Sequence, residues 1–169
     1  MMRTGYLKIA IVFVFALTLS ACIVKSPYYQ KQVGIPGTQW SSKFQPKFSI
    51  DIPDTNHNYI TYLLIRHTDD YPYSNIWINM KIKAPGEPSF DTTIKIEKQL
   101  ADASGKWLAK GMGNIREHKI PLSFKEIPPF TKAGNYIIQL EQIMRNDPLP
   151  CVLNVGMCVE KVAKVASSK

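Results

Sequence analysis

Apolar residues recur at every second position along most of this chain, the period of a half-buried β-strand rather than of a helix. In FQPKFSIDI, Phe44, Phe48, Ile50 and Ile52 share one face, and Gln45, Lys47, Ser49 and Asp51 share the other. NIWINMKIKA sends Ile76, Ile78, Met80 and Ile82 inward, and FDTTIKIEKQL does the same with Phe90, Ile94, Ile96 and Leu100. YITYLLIR, Tyr59 to Arg66, is apolar nearly throughout and predicts a strand covered on both faces. REHKIPLSF, NYIIQLEQIM and VLNVGMCVEKV predict further strands. Turn residues separate these runs in APGEP, DASGK and KAGN. No stretch carries a three-turn amphipathic helix. The pattern predicts an all-β fold, an antiparallel β-sandwich of jelly-roll or immunoglobulin-like arrangement, with the strand order left open.

The N-terminus follows a different logic. Arg3 and Lys8 form a positive head, and Ile9 to Leu19 is an uncharged apolar run too short to span a bilayer. The run meets LSAC, ending at Cys22, which resembles the lipobox of bacterial lipoproteins, where the cysteine thiol carries lipid such as palmitate. The expected organisation is a lipoprotein signal peptide over 1–21, a lipidated Cys22 and flexible tether over 22–39, a β-sandwich over 40–162 and a tail over 163–169. Several acyl chains make such an anchor durable where one would be marginal. No acidic run follows Cys22, which disfavours a surface-export signal.

Charge adds one constraint. The 169 residues carry a net +8; removing Arg3 and Lys8 lowers 21 basic residues to 19 against 13 acidic, a net +6. In an exported protein this balance points to anionic headgroups or acidic partners, not to nucleic acid. The lysines are dispersed along strands, as on a solvated face. Cys151 and Cys158 stand seven apart; on one straight strand they would lie about 23 Å apart, so two free thiols are expected. His57, His67 and His118 show no metal-ligand spacing and are expected as core or surface histidines. There is no nucleophile elbow, zinc motif or phosphate loop. The reading is of a non-enzyme with no catalytic residues, no metal and no cofactor beyond the lipid on Cys22.

The densest chemistry lies in DYPYSNIWI, Asp70 to Ile78. Alternation buries Ile76 and Ile78 and turns Trp77 outward with Asn75 and Asn79. Such a tryptophan suits a sugar platform or a protein contact. The bland reading is favoured for it: a long loop, such as the one bearing Trp107, folds over Trp77 and buries it. Asp70, Tyr71 and Tyr73, in the turn before it, are expected to be exposed.

Three segments, RHTDDYPYSNIWI, LADASGKWLAKGMGNI and GNYIIQLEQIMRNDPLPCVLNVGMCVE, together with the lipobox, resemble the gliding motility lipoprotein H family, GldH, of Bacteroidetes. The resemblance runs from about Trp40 to Lys161. Its motif positions fall here on Arg66, Asp70 to Tyr73, Gly105 to Trp107, and Glu141, Gln142, Met144 and Arg145. Two positions depart from the family pattern: Cys151 stands where a glycine or other small residue is expected, and Ala109 where glycine is usual. The resemblance implies a non-catalytic, periplasm-facing lipoprotein of the envelope apparatus for gliding and type IX secretion, anchored in a membrane and contacting other envelope proteins. The candidate interaction surface is Arg66, Asp70, Tyr71, Tyr73, Trp77, Lys106, Trp107 and Arg145. For Arg66 an internal ion pair with Asp70 or Glu141 is an equal alternative. Two other functions compete. A carbohydrate-binding module would stack sugar on Tyr71, Tyr73, Trp77 and Trp107, and a small glycoside hydrolase would need two facing carboxylates.

Overall fold

The computed structural model describes residues 27–163. The signal peptide, Cys22, the first part of the expected tether (22–26) and the tail beyond Ala163 lie outside the described residues. Eleven strands follow in chain order: β1 (Tyr29–Gly34), β2 (Gln39–Trp40), β3 (Lys47–Ile52), β4 (His57–Thr68), β5 (Asn75–Lys83), β6 (Thr92–Gln99), β7 (Lys110–Met112), β8 (Ile115–Pro121), β9 (Gly134–Gln142), β10 (Leu149–Pro150) and β11 (Val152–Ala163). Among the described residues the one helical element is a short 3-10 turn at Pro36–Thr38, and no helix is long and apolar enough to cross a membrane.

The strands form two main antiparallel sheets. The first has the order β1-β11-β4-β8-β7, the second β3-β9-β5-β6, and β10 pairs with β2 in a separate two-stranded piece. Each of the inner four-strand rows interleaves early and late segments of the chain. That is the double Greek key of a jelly-roll, which decides between the two arrangements the periodicity left open.

One continuous core joins the sheets. The second sheet contributes Ile50, Ile52, Ile76, Ile78, Met80, Ile138 and Leu140; the first contributes Leu63, Ile65, Val155, Met157 and Val159. Burial in β5 alternates strictly, with Ile76, Ile78, Met80 and Ile82 inside. β4 differs because it is central in its sheet. Leu63 and Ile65 face the core, and Leu64, on the opposite face, is buried as well.

The expected tether is shorter than 22–39. Residues 29–34 form edge strand β1, paired with β11 from Tyr29↔Val159 to Gly34↔Asn154. Alternation fails to announce it because Lys31 interrupts the two core-packed apolar residues, Tyr29 and Val33. The pairing gives the sandwich a direction. The chain enters at the end where β11 finishes opposite His57, and β1 runs toward the other end, where Val152 opens β11 opposite His67. We call these the entry end and the far end.

Both remaining cysteines are free thiols. Cys158 is buried within β11, and Cys151, half-buried, sits just before that strand at φ 66°. This is the left-handed region that glycine adopts cheaply and other residues do not, a physical reason for the glycine expected at that position.

Candidate functional site

The far end gathers the connections β4–β5, β6–β7 and β9–β10 with the tight β7–β8 turn. Side chains of these segments hold one another in place. Arg116 grips Asp69 through two contacts, Nε to Oδ1 and Nη2 to Oδ2, both at 2.8 Å. The Asp69 amide donates to the Asn114 carbonyl at 2.9 Å, which fastens the β4–β5 turn to the β7–β8 turn. Tyr73 donates its hydroxyl to Asn146 Oδ1 at 2.9 Å, tying the same turn to the β9–β10 connection. Asp147 there accepts from the Ser42 hydroxyl and amide, and these bonds hold its carboxyl below the usual range. Trp40, fully buried on β2, donates its indole N–H to the Phe44 carbonyl at 2.9 Å and closes the core from this end.

DASGK closes on itself. Asp102 Oδ1 accepts the Ser104 hydroxyl at 2.7 Å, the Ser104 amide at 2.9 Å and the Lys106 amide at 3.0 Å, and Gly105 supplies the positive φ that the reversal requires. The Ser104 hydroxyl is the largest of the effects lowering the Asp102 carboxyl pKa. The Ser104 and Lys106 amides are thus turned onto the loop's own aspartate, and the Gly105 amide onto the Asp102 carbonyl, so this loop does not present the row of free amides that cradles a phosphate.

Trp107 then enters the open edge between β6 and β8. Its backbone bridges Ala101 and its ring meets His67 edge-on at 4.6 Å and Tyr71 at 6.3 Å. Behind it lies a buried histidine pair, with His67 0% and His118 1% exposed. His67 Nδ1 lies 2.7 Å from the Thr68 carbonyl and therefore carries the proton it donates there. His67 Nε2 is then an acceptor, and His118 Nε2–H donates to it at 2.9 Å. The remaining His118 Nδ1 is buried and makes no hydrogen bond of normal geometry. Burial lowers both pKa values. For His118 the electrostatic coupling to neighbouring His67 adds to that, against a smaller opposing pull from the Leu108 backbone, and the result is about 4.

Six of the eight candidate residues meet at this end: Asp70, Tyr71, Tyr73, Lys106, Trp107 and Arg145. Asp70, Lys106 and Arg145 are exposed, and Tyr73 and Trp107 are half-buried. Tyr71 corrects the expectation for its turn. It is 4% exposed, packed on His67 and Tyr73, and donates its hydroxyl to the Asn75 carbonyl at 3.0 Å. A tyrosine at a strand entry is long enough to cap the core, which alternation alone does not report. Burial pushes its phenol above the range in which it ionises.

Trp77 and Arg66 lie elsewhere. Trp77 faces outward from the second sheet and is half-buried, but not under the Trp107 loop, which closes the sandwich edge instead. Lys95 lies over its ring at 4.7 Å, and Met144 Sδ accepts the Trp77 amide at 3.2 Å. Arg66 is on the outer face of the first sheet, beside Asn154 and Glu117 in register. The internal ion pair is not formed: Glu141 binds Lys81 at 3.1 Å on the other sheet, and Asp70 is exposed. Among the described residues Arg66 has no ion pair, and its buried Nε lacks a hydrogen-bond partner.

The aromatic arrangement does not form a stacking platform. Tyr71 and Tyr73 stand at 71°, Tyr71 and Trp107 at 59°, and Trp77 is on a separate face. Sequence reasoning missed two exposed apolar side chains, Leu108 at 58% and Met112 at 88%, because both sit in a segment without alternation. Next to Leu108 a cleft of about 490 Å³ runs between the Trp107–Lys110 segment and the outer face of the first sheet, lined also by Gln30, Leu64, Glu117 and Lys119. Glu117 is the sole carboxylate in that lining, so the cleft does not supply the two facing acids of a glycosidase. Among the described residues, no group of three or more His, Cys, Asp or Glu side chains is placed to hold a metal ion.

Comparison with known proteins adds independent information. A family model described as GldH lipoprotein matches residues 27–159. The Gliding motility lipoprotein GldH homolog of Christiangramia forsetii is 29% identical over 158 residues, covering 89% of this chain and 93% of that protein. The Gliding motility lipoprotein GldH of Flavobacterium johnsoniae is 24% identical over 159 residues, covering 89% and 94%. Among solved structures, a carbohydrate-binding module specific for non-crystalline cellulose is similar at a TM-score of 0.44 and 13% identity, over 80% of this chain and 75% of that one.

Proposed function

The chain belongs to the GldH lipoprotein family, and from that premise we propose that it is a non-catalytic, lipid-anchored and periplasm-facing component of the gliding motility and type IX secretion-associated machinery, working through contacts with other envelope proteins. The observation that carries this reading is the division of the sandwich into two ends. The chain enters the fold at one end, and Asp70, Lys106, Arg145, Leu108 and Met112 are exposed on segments at the other. An anchor at Cys22 would leave that far end free to meet a partner. Its mixture of apolar side chains and separate charges has the composition of a protein contact, in which charge-assisted pairs are worth a few kcal/mol when one partner is truncated.

The test is in-cell photo-cross-linking of the tagged lipoprotein from exposed positions 108 and 112, with a reporter at position 89 as the control from the entry end. Capture of the same envelope proteins from both far-end positions, abolished by Asp70→Ala/Lys106→Ala/Arg145→Ala, is the expected result. Capture that is equal from position 89, or that survives the triple substitution, would refute the assignment of the surface. Tyr71 is left intact because its substitution would disturb the core.

A further inference from the structure

The entry end has a surface of its own. Tyr28 is held there: its hydroxyl donates to the Asp51 carbonyl at 2.9 Å and its ring packs edgewise on Tyr59 at 5.9 Å. Tyr59 packs on Phe130 at 5.9 Å, and Phe130 on Tyr136 at 4.7 Å. Pro27 and Tyr28 therefore lie at the end of the sandwich that carries the β8–β9 connection, residues 122–133. Five peptide units separate Pro27 from Cys22, a reach of at most about 17 Å. Twelve-residue β4 alone is roughly 40 Å long. A lipid on Cys22 thus keeps the entry end within a short distance of the bilayer.

Among the described residues, three of the five exposed large hydrophobic side chains are at this end: Tyr28 at 40%, Ile60 at 38% and Phe124 at 74%. Phe124 is displayed by a built turn. Ser123 donates its amide and hydroxyl to Glu126 at 2.8 Å, the Ile127 amide returns to the Ser123 carbonyl at 2.9 Å, and Glu126 also holds Lys98 at 2.5 Å. The one acid of the turn is thereby drawn back toward the sheet, leaving Phe124 and Lys125 exposed. An apolar cleft of about 310 Å³ lies alongside, bounded by Ile60, Phe124, Pro128 and Phe130. A ring to enter the acyl boundary, next to an ammonium on a flexible stem for the headgroup phosphates, is the side-chain pairing of an interfacial contact.

We propose that the entry end is a membrane-contacting face on which the domain rests, with Phe124 inserted at the headgroup–acyl boundary of the lipid bilayer. The proposal relies on the reading of Cys22 as the lipid-bearing residue. It assigns the second signal that turns a tethered domain into one of fixed orientation, with the far end directed away from the membrane.

The test uses the full lipoprotein, purified from membranes and reconstituted in phosphatidylcholine–phosphatidylglycerol vesicles carrying brominated acyl chains. The three native tryptophans, Trp40, Trp77 and Trp107, belong to the far half of the sandwich and set the background. Phe124→Trp is compared with Leu108→Trp, an exposed position at the far end. Roughly twofold or greater excess quenching for Phe124→Trp, with a blue-shifted emission, is expected of a side chain in the interface. Equal quenching in protein whose intact mass shows lipid at Cys22 would overturn the membrane face and leave the anchor standing. An intact mass without lipid would overturn the anchor and the proposal together.

Discussion

Between pH 6.5 and about 4, an unfolded chain takes up a proton on each histidine while the folded chain withholds one from His118. Its imidazole is 1% exposed and donates through Nε2 to His67, so a further proton must go to Nδ1, which makes no hydrogen bond of normal geometry. Burial first, and the neighbouring His67 second, lower its pKa from the usual 6.5 to about 4. The sign follows from linkage. A base whose folded pKa is depressed contributes its full stability above the unfolded value and loses it as pH falls toward the folded one. The interval of 6.5 to about 4 at roughly 1.4 kcal/mol per unit gives a ceiling of about 3 kcal/mol. His67, also lowered by burial, acts in the same direction; its bond to the Thr68 carbonyl and the nearby Asp69 raise its pKa, and Arg116 lowers it. Asp102, Asp147 and Glu126 are held below their ordinary values, so their losses come at lower pH. Urea unfolding of the domain over 27–163 at pH 7.0, 6.0, 5.0 and 4.5 would read the effect. With a slope near 2 kcal/mol/M the midpoint should fall by about 1 M or more. His118→Gln should flatten that decline whatever it does to stability at pH 7. Parallel declines in wild type and variant would refute the reasoning, because the lost stability would then come from other groups.

Gly156 lies opposite Gln32 in the β1–β11 ladder, and a Cβ there would meet the Lys31 carbonyl oxygen at 2.3 Å. Gly156→Ala is expected to cost about 1–3 kcal/mol and to speed amide exchange over 29–34 more than over β4; uniform exchange would argue against local loosening of β1. Trp77→Ala removes a ring that is covered by one lysine rather than set in the core, so its loss should be near 1 kcal/mol, measured by thermal unfolding; a loss above 3 kcal/mol would contradict its outward placement. Native protein titrated with a thiol reagent should react first at half-exposed Cys151 and slowly at Cys158, which is buried and whose pKa is raised by burial. Equal rates at the two sites would contradict that order.

The sequence disclosed what period two can disclose. Ile76, Ile78, Met80 and Ile82 were readable as core because a strand in the second sheet has one wet face and one dry one. Strand order was not readable, since the same alternation serves any pairing partner, and the jelly-roll appears only once β9 is seen between β3 and β5. β1 escaped for a related reason, as an edge strand gives few of its side chains to the core. The eight candidate residues came from motif resemblance rather than from periodicity, and the fold divides them. Tyr71 and Trp107 mainly close the sandwich, Trp77 and Arg66 lie on opposite outer faces, and exposed Asp70, Lys106 and Arg145 are free for contacts. The bond between His67 and His118, 51 residues apart, has no local signature and depends wholly on the register of β4 with β8.

The first strand also determines how the domain bears force. β1 begins at the entry end and lies alongside β11 through six register positions. A pull on the N-terminus directed out of that end runs parallel to the strand and perpendicular to its interstrand hydrogen bonds. The ladder is loaded in shear, so its bonds share the tension instead of opening one after another as in a zipper. From β1 the tension passes into β11 and on to β4, the most extensively paired strands of the first sheet. A lipoprotein whose tether joins the fold in this way can be dragged by its anchor without being unravelled from it.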